Sequence, residues 1–258
     1  MLAFLIIGCG LFGLVIGSFL NVVIFRVPRH ESIVSPRSRC TLCGTLLSER
    51  DNIPVISWLI LKGKCRTCGS PISVRYPTIE LLCGGLFAGC AARVGFNGIL
   101  PALLVLMASL LALATIDLEL LILPKAIIYP SLAMLTIASV VDAGATSQWH
   151  RLFIAASCAV GWFVVFFVLN FVSPRALGFG DVRLSLLLGL GLGWFGVRYV
   201  LLGFFAGNLV GAMVGLTLIA TKKMDRSQPV PYGVFLAIGV AVAIYAGPEL
   251  LAPFRNYG

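Results

Sequence analysis

Residues 2–25 read LAFLIIGCGLFGLVIGSFLNVVIF, an unbroken run without a charged side chain. As a helix rising about 1.5 Å per residue, it is long enough to cross a bilayer core of about 30 Å. It is too long for a secretory leader and has no small-residue cleavage site, so it reads as a retained first helix. Working outward, comparable runs stand at about 78–96, 99–116, 126–142, 152–172, 184–197, 199–220 and 232–252. The chain is 59% hydrophobic and 11% charged, against about 25% charged in soluble domains. Lipid leaves each backbone polar group to be satisfied within its own segment, which selects helices. The expected fold is therefore all-α, with about eight transmembrane helices. The expected organisation is a first helix (1–25), a hydrophilic insert (26–77) and a seven-helix membrane domain (78–258).

A formal charge of +9 would suit a nucleic-acid partner, but its distribution argues for a membrane instead. With eight spans, one face collects the insert and the loops near 117–125, 173–183 and 221–231. That face holds Arg26, Arg29, Arg37, Arg39, Arg50, Lys62, Lys64, Arg66, Arg75, Lys125, Arg175, Arg183, Lys222, Lys223 and Arg226. The other face keeps Arg93, Arg151, Arg198 and Arg255. Cationic loops stay on the cytoplasmic side. The insert is expected in the cytoplasm and both termini outside.

The cysteines form two groups. Cys9, Cys83, Cys90 and Cys158 lie in apolar spans and read as small buried hydrophobes. Cys40-Thr-Leu-Cys43-Gly and Cys65-Arg-Thr-Cys68-Gly are two C-x2-C knuckles. Four thiolates from two such turns surround one zinc ion tetrahedrally, and the glycine after each pair lets the backbone fold around the metal. Two disulfides are the rival reading, which a reducing cytoplasm disfavours. With four protein ligands the zinc would be structural, and iron would fit the same donors.

Of the acids, Glu31, Glu49, Asp51 and Asp225 read as solvating charges, and Asp142 and Glu249 as charges flanking spans. Glu80 is either an interfacial partner of Arg75 or part of a polar pocket. Asp117 closes the third span in Asp117-Leu-Glu119-Leu-Leu-Ile-Leu-Pro124, and Asp181 follows Gly178-Phe-Gly180. Ionisable groups at membrane depth are costly and point to function. Two adjacent carboxylates share a proton, so one serves as base toward water and the other as acid toward a carbonyl. Spacing leaves a second reading open, with Asp181 as a helix cap and Asp117 as a topogenic charge.

Taken in order, these residues resemble the type IV prepilin peptidases, a family of GxGD-type membrane aspartic proteases. The resemblance runs through Gly17-Ser-Phe-Leu-Asn-Val-Val-Ile-Phe-Arg26, the paired C-x2-C insert, Asp51-Asn-Ile-Pro-Val-Ile-Ser-Trp58 and Arg75-Tyr-Pro-Thr-Ile-Glu80. It continues in Asp117, Glu119, Leu123 and Pro124 (D-x-[DE]-x3-[IL]-P), in Gly178-Phe-Gly180-Asp181, and in Pro231-Tyr-Gly233.

The resemblance implies a bacterial inner-membrane enzyme that cleaves leader peptides from prepilins and pseudopilins at the cytoplasmic face. Asp117 and Asp181 would be the catalytic pair, and Glu119 a family acidic position without an assigned step. It also implies methylation of the new amino terminus with S-adenosylmethionine, although no glycine-rich fingerprint marks a donor site. Arg183 stands where the family usually has Lys, and Lys125 where a polar or acidic residue is more usual; both bear on substrate preference. A peptidase without methyl transfer, a proton-coupled transporter and a non-enzymatic assembly factor are the alternatives. The transporter predicts polar residues lining several spans near mid-membrane, of which these spans are nearly free, and the carboxylates sit at one face.

Overall fold

The computed structural model describes residues 1–174, 177–222 and 230–254. Of the charges weighed above, Arg175, Lys223, Arg226, Arg255 and Asp225 lie outside the described residues. The described chain is helical, with isolated antiparallel bridges only, Arg39 to Leu46 and Lys64 to Pro71. It forms two compact units that divide between Phe96 and Asn97. This division groups the second span with the first and with the cysteine insert.

The first unit contains α1 (Leu2–Arg26), α2 (Ile56–Ile60) and α3 (Arg75–Val94). Lipid gives no hydrophobic drive for helix pairing, so close backbone approach must supply it through dispersion. Gly13 and Gly17 of α1 provide that approach. A Cβ at Gly13 would lie 2.7 Å from the Cys83 carbonyl oxygen, and one at Gly17 would lie 2.7 Å from the Glu80 Cα.

The second unit contains α4 (Leu100–Leu120), α5 (Lys125–Thr146), α6 (Trp149–Val172), α7 (Phe179–Gly193), α8 (Val197–Ala220) and α9 (Tyr232–Leu251). Most of α7 is buried, from Asp181 to Gly193, as expected of a helix apolar on all sides. By contrast α6 and α8 leave Val160, Val164, Phe167, Phe205, Leu209 and Leu216 exposed. Outward apolar faces of this extent suit acyl chains rather than water. Across α4 and α5, Ser109 donates its hydroxyl to Ser131 at 2.7 Å, a polar tie inside an apolar pair.

Seven helices are long and apolar enough to cross a membrane among the described residues. The expected sixth span, 184–197, is instead α7, which starts at Phe179 and has 15 residues. At about 1.5 Å per residue it is shorter than a bilayer core. It ends because Gly196 turns the chain with φ +112°, a conformation that side chains rarely adopt. Its burial among longer helices removes the need to reach both interfaces alone.

Gly189 on α7 would place a Cβ 2.6 Å from the Ala159 Cα of α6, whereas Gly161 has nothing within 4 Å. Gly189→Val is expected to lower stability in detergent by about 1–3 kcal/mol through overpacking. Gly161→Ala should be close to neutral, and thermal midpoints of the two variants check the contrast.

Candidate active site and metal centre

Asp117 lies one turn before the end of α4, which closes at Leu121 in the left-handed conformation. Asp181 lies in the first turn of α7. The fold buries both, at 5% and 8% exposure, and brings their carboxylates within electrostatic reach of each other. Backbone N–H groups of Gly233 and Val234, at the start of α9, face Asp117. Those of Gly178 and Asp181 face the Asp181 carboxylate. Oδ2 of Asp117 and Oδ1 of Asp181 remain buried without a hydrogen-bond partner among the described residues. Such orphaned oxygens are costly unless a water, a proton or a ligand completes them.

The glycines of this site provide space. Gly178 has φ −71°, which any residue adopts, but a Cβ there would lie 3.3 Å from Asp181 Oδ2. A Cβ on Gly180 would meet Leu123 at 2.9 Å, and one on Gly233 would meet Asp117 Oδ2 at 3.0 Å and Leu123 Cδ2 at 3.1 Å. Leu123 therefore packs against both glycine motifs from the turn between α4 and α5. Asn170, near the end of α6, donates to the Leu177 carbonyl at 2.6 Å and fixes the approach to Gly178.

Sequence reading did not single out Asn208. The Tyr232 hydroxyl donates to Asn208 Oδ1 at 3.0 Å, and Asn208 in turn donates to the Phe204 carbonyl at 2.8 Å. The Tyr232 ring stacks on Phe166 with centroids 6.2 Å apart, and its phenol is within electrostatic reach of Asp181. An asparagine inside an apolar span was the available signal. Glu119 is exposed, and the Arg183 guanidinium lies over the Phe179 ring at 4.7 Å. Asp142, read from sequence as a flanking charge, is buried at 4% exposure against Gly98.

The first unit builds a second centre. Sγ atoms of Cys40, Cys43, Cys65 and Cys68 lie within 4.8 Å of one another, and Cys40 and Cys68 are 3.9 Å apart. A tetrahedron with metal–sulfur bonds of about 2.3 Å has edges of about 3.8 Å, so the donors fit one ion. The cysteines are free rather than disulfide-bonded. Each knuckle repeats the same turn: Gly44 N–H donates to the Cys40 carbonyl at 3.0 Å, and Gly69 N–H to that of Cys65 at 2.9 Å. Both glycines have positive φ, +73° and +70°. Backbone N–H groups of Cys43 and Leu42, with the Ser70 hydroxyl, bring the Cys40 thiol down to about 6. The Ser70 hydroxyl likewise lowers Cys68. Thiolates are the form that binds metal.

Motif residues anchor this centre. Asp51, expected only to solvate, takes two hydrogen bonds from Arg66 at 2.7 and 3.0 Å and one from the Ser48 hydroxyl at 2.8 Å. Arg66 holds the Asp51 carboxyl below its ordinary range. Trp58 donates its indole N–H to the Ile72 carbonyl at 3.1 Å. Glu80 joins a polar pocket: its Oε2 accepts the Val55 N–H at 2.7 Å, and the Ser18 hydroxyl also bonds to it. Asn21 donates to the Tyr76 carbonyl at 3.1 Å.

Two family models match the chain: the bacterial peptidase A24 N-terminal domain over residues 11–94, and the type IV leader peptidase family over residues 104–247. The chain belongs to the type IV leader peptidase family. A prepilin leader peptidase/N-methyltransferase of Myxococcus xanthus is 44% identical over 86% of this chain and 67% of its own length. Proteins with the same printed name from Bacillus subtilis and Stutzerimonas stutzeri are 31% and 32% identical, over 94% and 95% of this chain and 94% and 92% of their own. No solved structure is significantly similar.

Proposed function

We propose that this chain is a multi-pass enzyme of the bacterial inner membrane that removes leader peptides from type IV prepilins and pseudopilins, with Asp117 and Asp181 as its catalytic pair. Support comes from one observation above the others. Two buried carboxylates from different helices, each with an unpartnered oxygen, lie within electrostatic reach of each other in an apolar setting. One carboxylate takes a proton from water as the water oxygen attacks the scissile carbonyl carbon, and the other gives its proton to the carbonyl oxygen. The tetrahedral intermediate then collapses, the C–N bond breaks, and the leaving amine takes a proton back from the pair. The N–H groups of Gly233 and Val234 keep Asp117 oriented through this exchange.

The substrate's apolar segment lies in the bilayer with its leader in the cytoplasm, on the side where the basic loops gather. The four-cysteine cluster holds zinc as a structural ion that fixes the two knuckles and has no open coordination position. The shared name of the relatives supports a second activity. S-adenosylmethionine, when bound, supplies the methyl group for the newly exposed amine.

The test is a mass spectrum of a prepilin incubated in detergent with the purified protein and S-adenosylmethionine. Loss of the leader with one added methyl group supports both activities. Loss of the leader alone removes the methyl-transfer reading for that substrate. An intact prepilin, with folded zinc-loaded protein and several candidate substrates, defeats the peptidase reading.

Tyr232→Phe removes the phenol while keeping the ring on Phe166. It is expected to lower the rate of leader removal by up to about tenfold, the upper end for one neutral hydrogen bond. Comparing kcat with KM for the two proteins measures it.

A further inference from the structure

Glu80 is an acid that leader removal by Asp117 and Asp181 leaves unused, and it stands in a pocket of the first unit built mostly of acceptors. Gly17 of α1 lets α3 approach so closely that a Cβ there would lie 2.7 Å from the Glu80 Cα. Ser18 and Asn21, three residues apart on α1, share a face beside that contact. The Ser18 hydroxyl bonds to the Glu80 carboxylate. Asn21 donates its amide to the Tyr76 carbonyl at 3.1 Å and to the Gly17 carbonyl at 3.3 Å. Those two acceptors identify the amide nitrogen, and Oδ1 is left buried without a partner among the described residues. Tyr76 lies one helical turn before Glu80, so Asn21 is held against the same turn of α3 that carries the carboxylate. We propose that this pocket binds a primary ammonium group, the amino terminus that leader removal exposes. That the ammonium is this one rests on the prepilin reading above.

The donors and acceptors select the ligand. Glu80 is 7% exposed and Asn21 3%, and Glu80 has no ion pair among the described residues. Of the charges on neighbouring elements, Arg75 lies over the Tyr76 ring, Arg26 donates to the Ser32 and Pro36 carbonyls, and Asp51 is held by Arg66. A buried carboxylate without a cation is costly, and so is a buried amide oxygen without a donor. With the Ser18 hydroxyl they offer three acceptors, the number of N–H donors on an ammonium. An anion would be repelled here. A calcium ion takes six to eight oxygens and a magnesium ion six, more than these three side chains supply.

One N–H already stands against the carboxylate, that of Val55 at 2.7 Å. Val55 holds it there in a γ-turn, with φ +61° and ψ −49°, closed by the Ile56 N–H on the Pro54 carbonyl at 2.6 Å. This turn is rare and strained for a β-branched residue. Moving Val55 aside to admit a ligand N–H therefore releases strain as it opens the pocket. An ammonium has no lone pair for a methyl group until it loses a proton, and the Glu80 carboxylate in contact with it takes that proton.

The full-length, zinc-loaded protein in detergent is titrated, without S-adenosylmethionine, with a synthetic peptide carrying the first residues of a mature pilin. The free-amine peptide is expected to bind about tenfold more tightly than its N-acetyl form, the scale of a hydrogen bond to a charged group. Glu80→Gln is expected to abolish that preference and Glu80→Asp to keep part of it, with thermal midpoint and zinc content verifying the fold. Should Glu80→Gln not fold, Ser18→Ala is expected to lower the preference about threefold, the scale of one neutral hydrogen bond. Equal binding of the two peptides by wild type overturns the ammonium site. So does an undiminished preference in Glu80→Gln, or in Ser18→Ala where that variant is the one measured. A preference kept in Glu80→Gln but lost in Asp181→Asn overturns it too, by assigning the amine to the aspartate pair. Wild-type protein that leaves every prepilin intact defeats the peptidase reading instead, while a free-amine preference that depends on Glu80 still supports the pocket.

Discussion

Asp117→Asn and Asp181→Asn each leave a folded protein that removes prepilin leaders at least about a thousandfold more slowly than wild type. General acid–base chemistry by a positioned group supplies about 10²–10⁴ in rate. In the proposed mechanism the two groups act as one proton-sharing unit, so losing either removes both roles. Asparagine matches aspartate in shape, and both sites are buried, so the variants keep the packing around Gly233 and Leu123. Each amide can still accept from the backbone N–H groups that face it. The double variant should be scarcely slower than either single one, because residues that act as a unit are not additive. Leader removal followed by mass shift, with thermal midpoints to verify folding, measures this. Near-normal cleavage by both single variants would return Asp181 to the role of a helix cap and Asp117 to that of a topogenic charge.

Replacing any one of Cys40, Cys43, Cys65 and Cys68 by serine removes zinc from the purified protein and opens residues 26–77 to protease. Structural zinc in small motifs contributes about 10–16 kcal/mol of apparent binding free energy at neutral pH. The insert has little else of that size: a five-residue helix, two isolated bridges and the Asp51–Arg66 pair. That pair exposes its arginine at 61%, and solvent-screened pairs of this kind add little stability. Elemental analysis should give one zinc per chain in the wild type and a loss of most of it in each variant. A chelator should produce the same protease sensitivity. Full zinc content in all four variants would overturn the four-thiolate centre, and one equivalent of iron in freshly purified protein would replace zinc as the ion.

Much of this was legible in the sequence because the periods involved are short and the solvent is demanding. Apolar runs of about 20 residues have one stable outcome in lipid, so the helices could be placed within a few residues. The C-x2-C knuckles declared their geometry because each is a local turn with a glycine at a fixed offset. The expected sixth span was the hard case. Its apolar run continues through Trp194 and Phe195, and only backbone conformation at Gly196 shows that α7 has already ended.

The sequence by itself determined that this is an all-helical membrane protein with a four-cysteine insert and acidic residues at the ends of two spans. Those properties follow from hydropathy and from local turns, which need no knowledge of distant neighbours. Tertiary structure alone decided which groups meet. It brought Asp117 and Asp181 within reach of each other although they lie far apart along the chain, set Leu123 between two glycine motifs, and placed Tyr232 on Asn208 beside Asp181. It also turned Asp51 from a solvating charge into the partner of Arg66, and buried Asp142 against Gly98. Proximity between helices depends on which small residues let their backbones approach, and that pairing is written in matching surfaces rather than in any one segment.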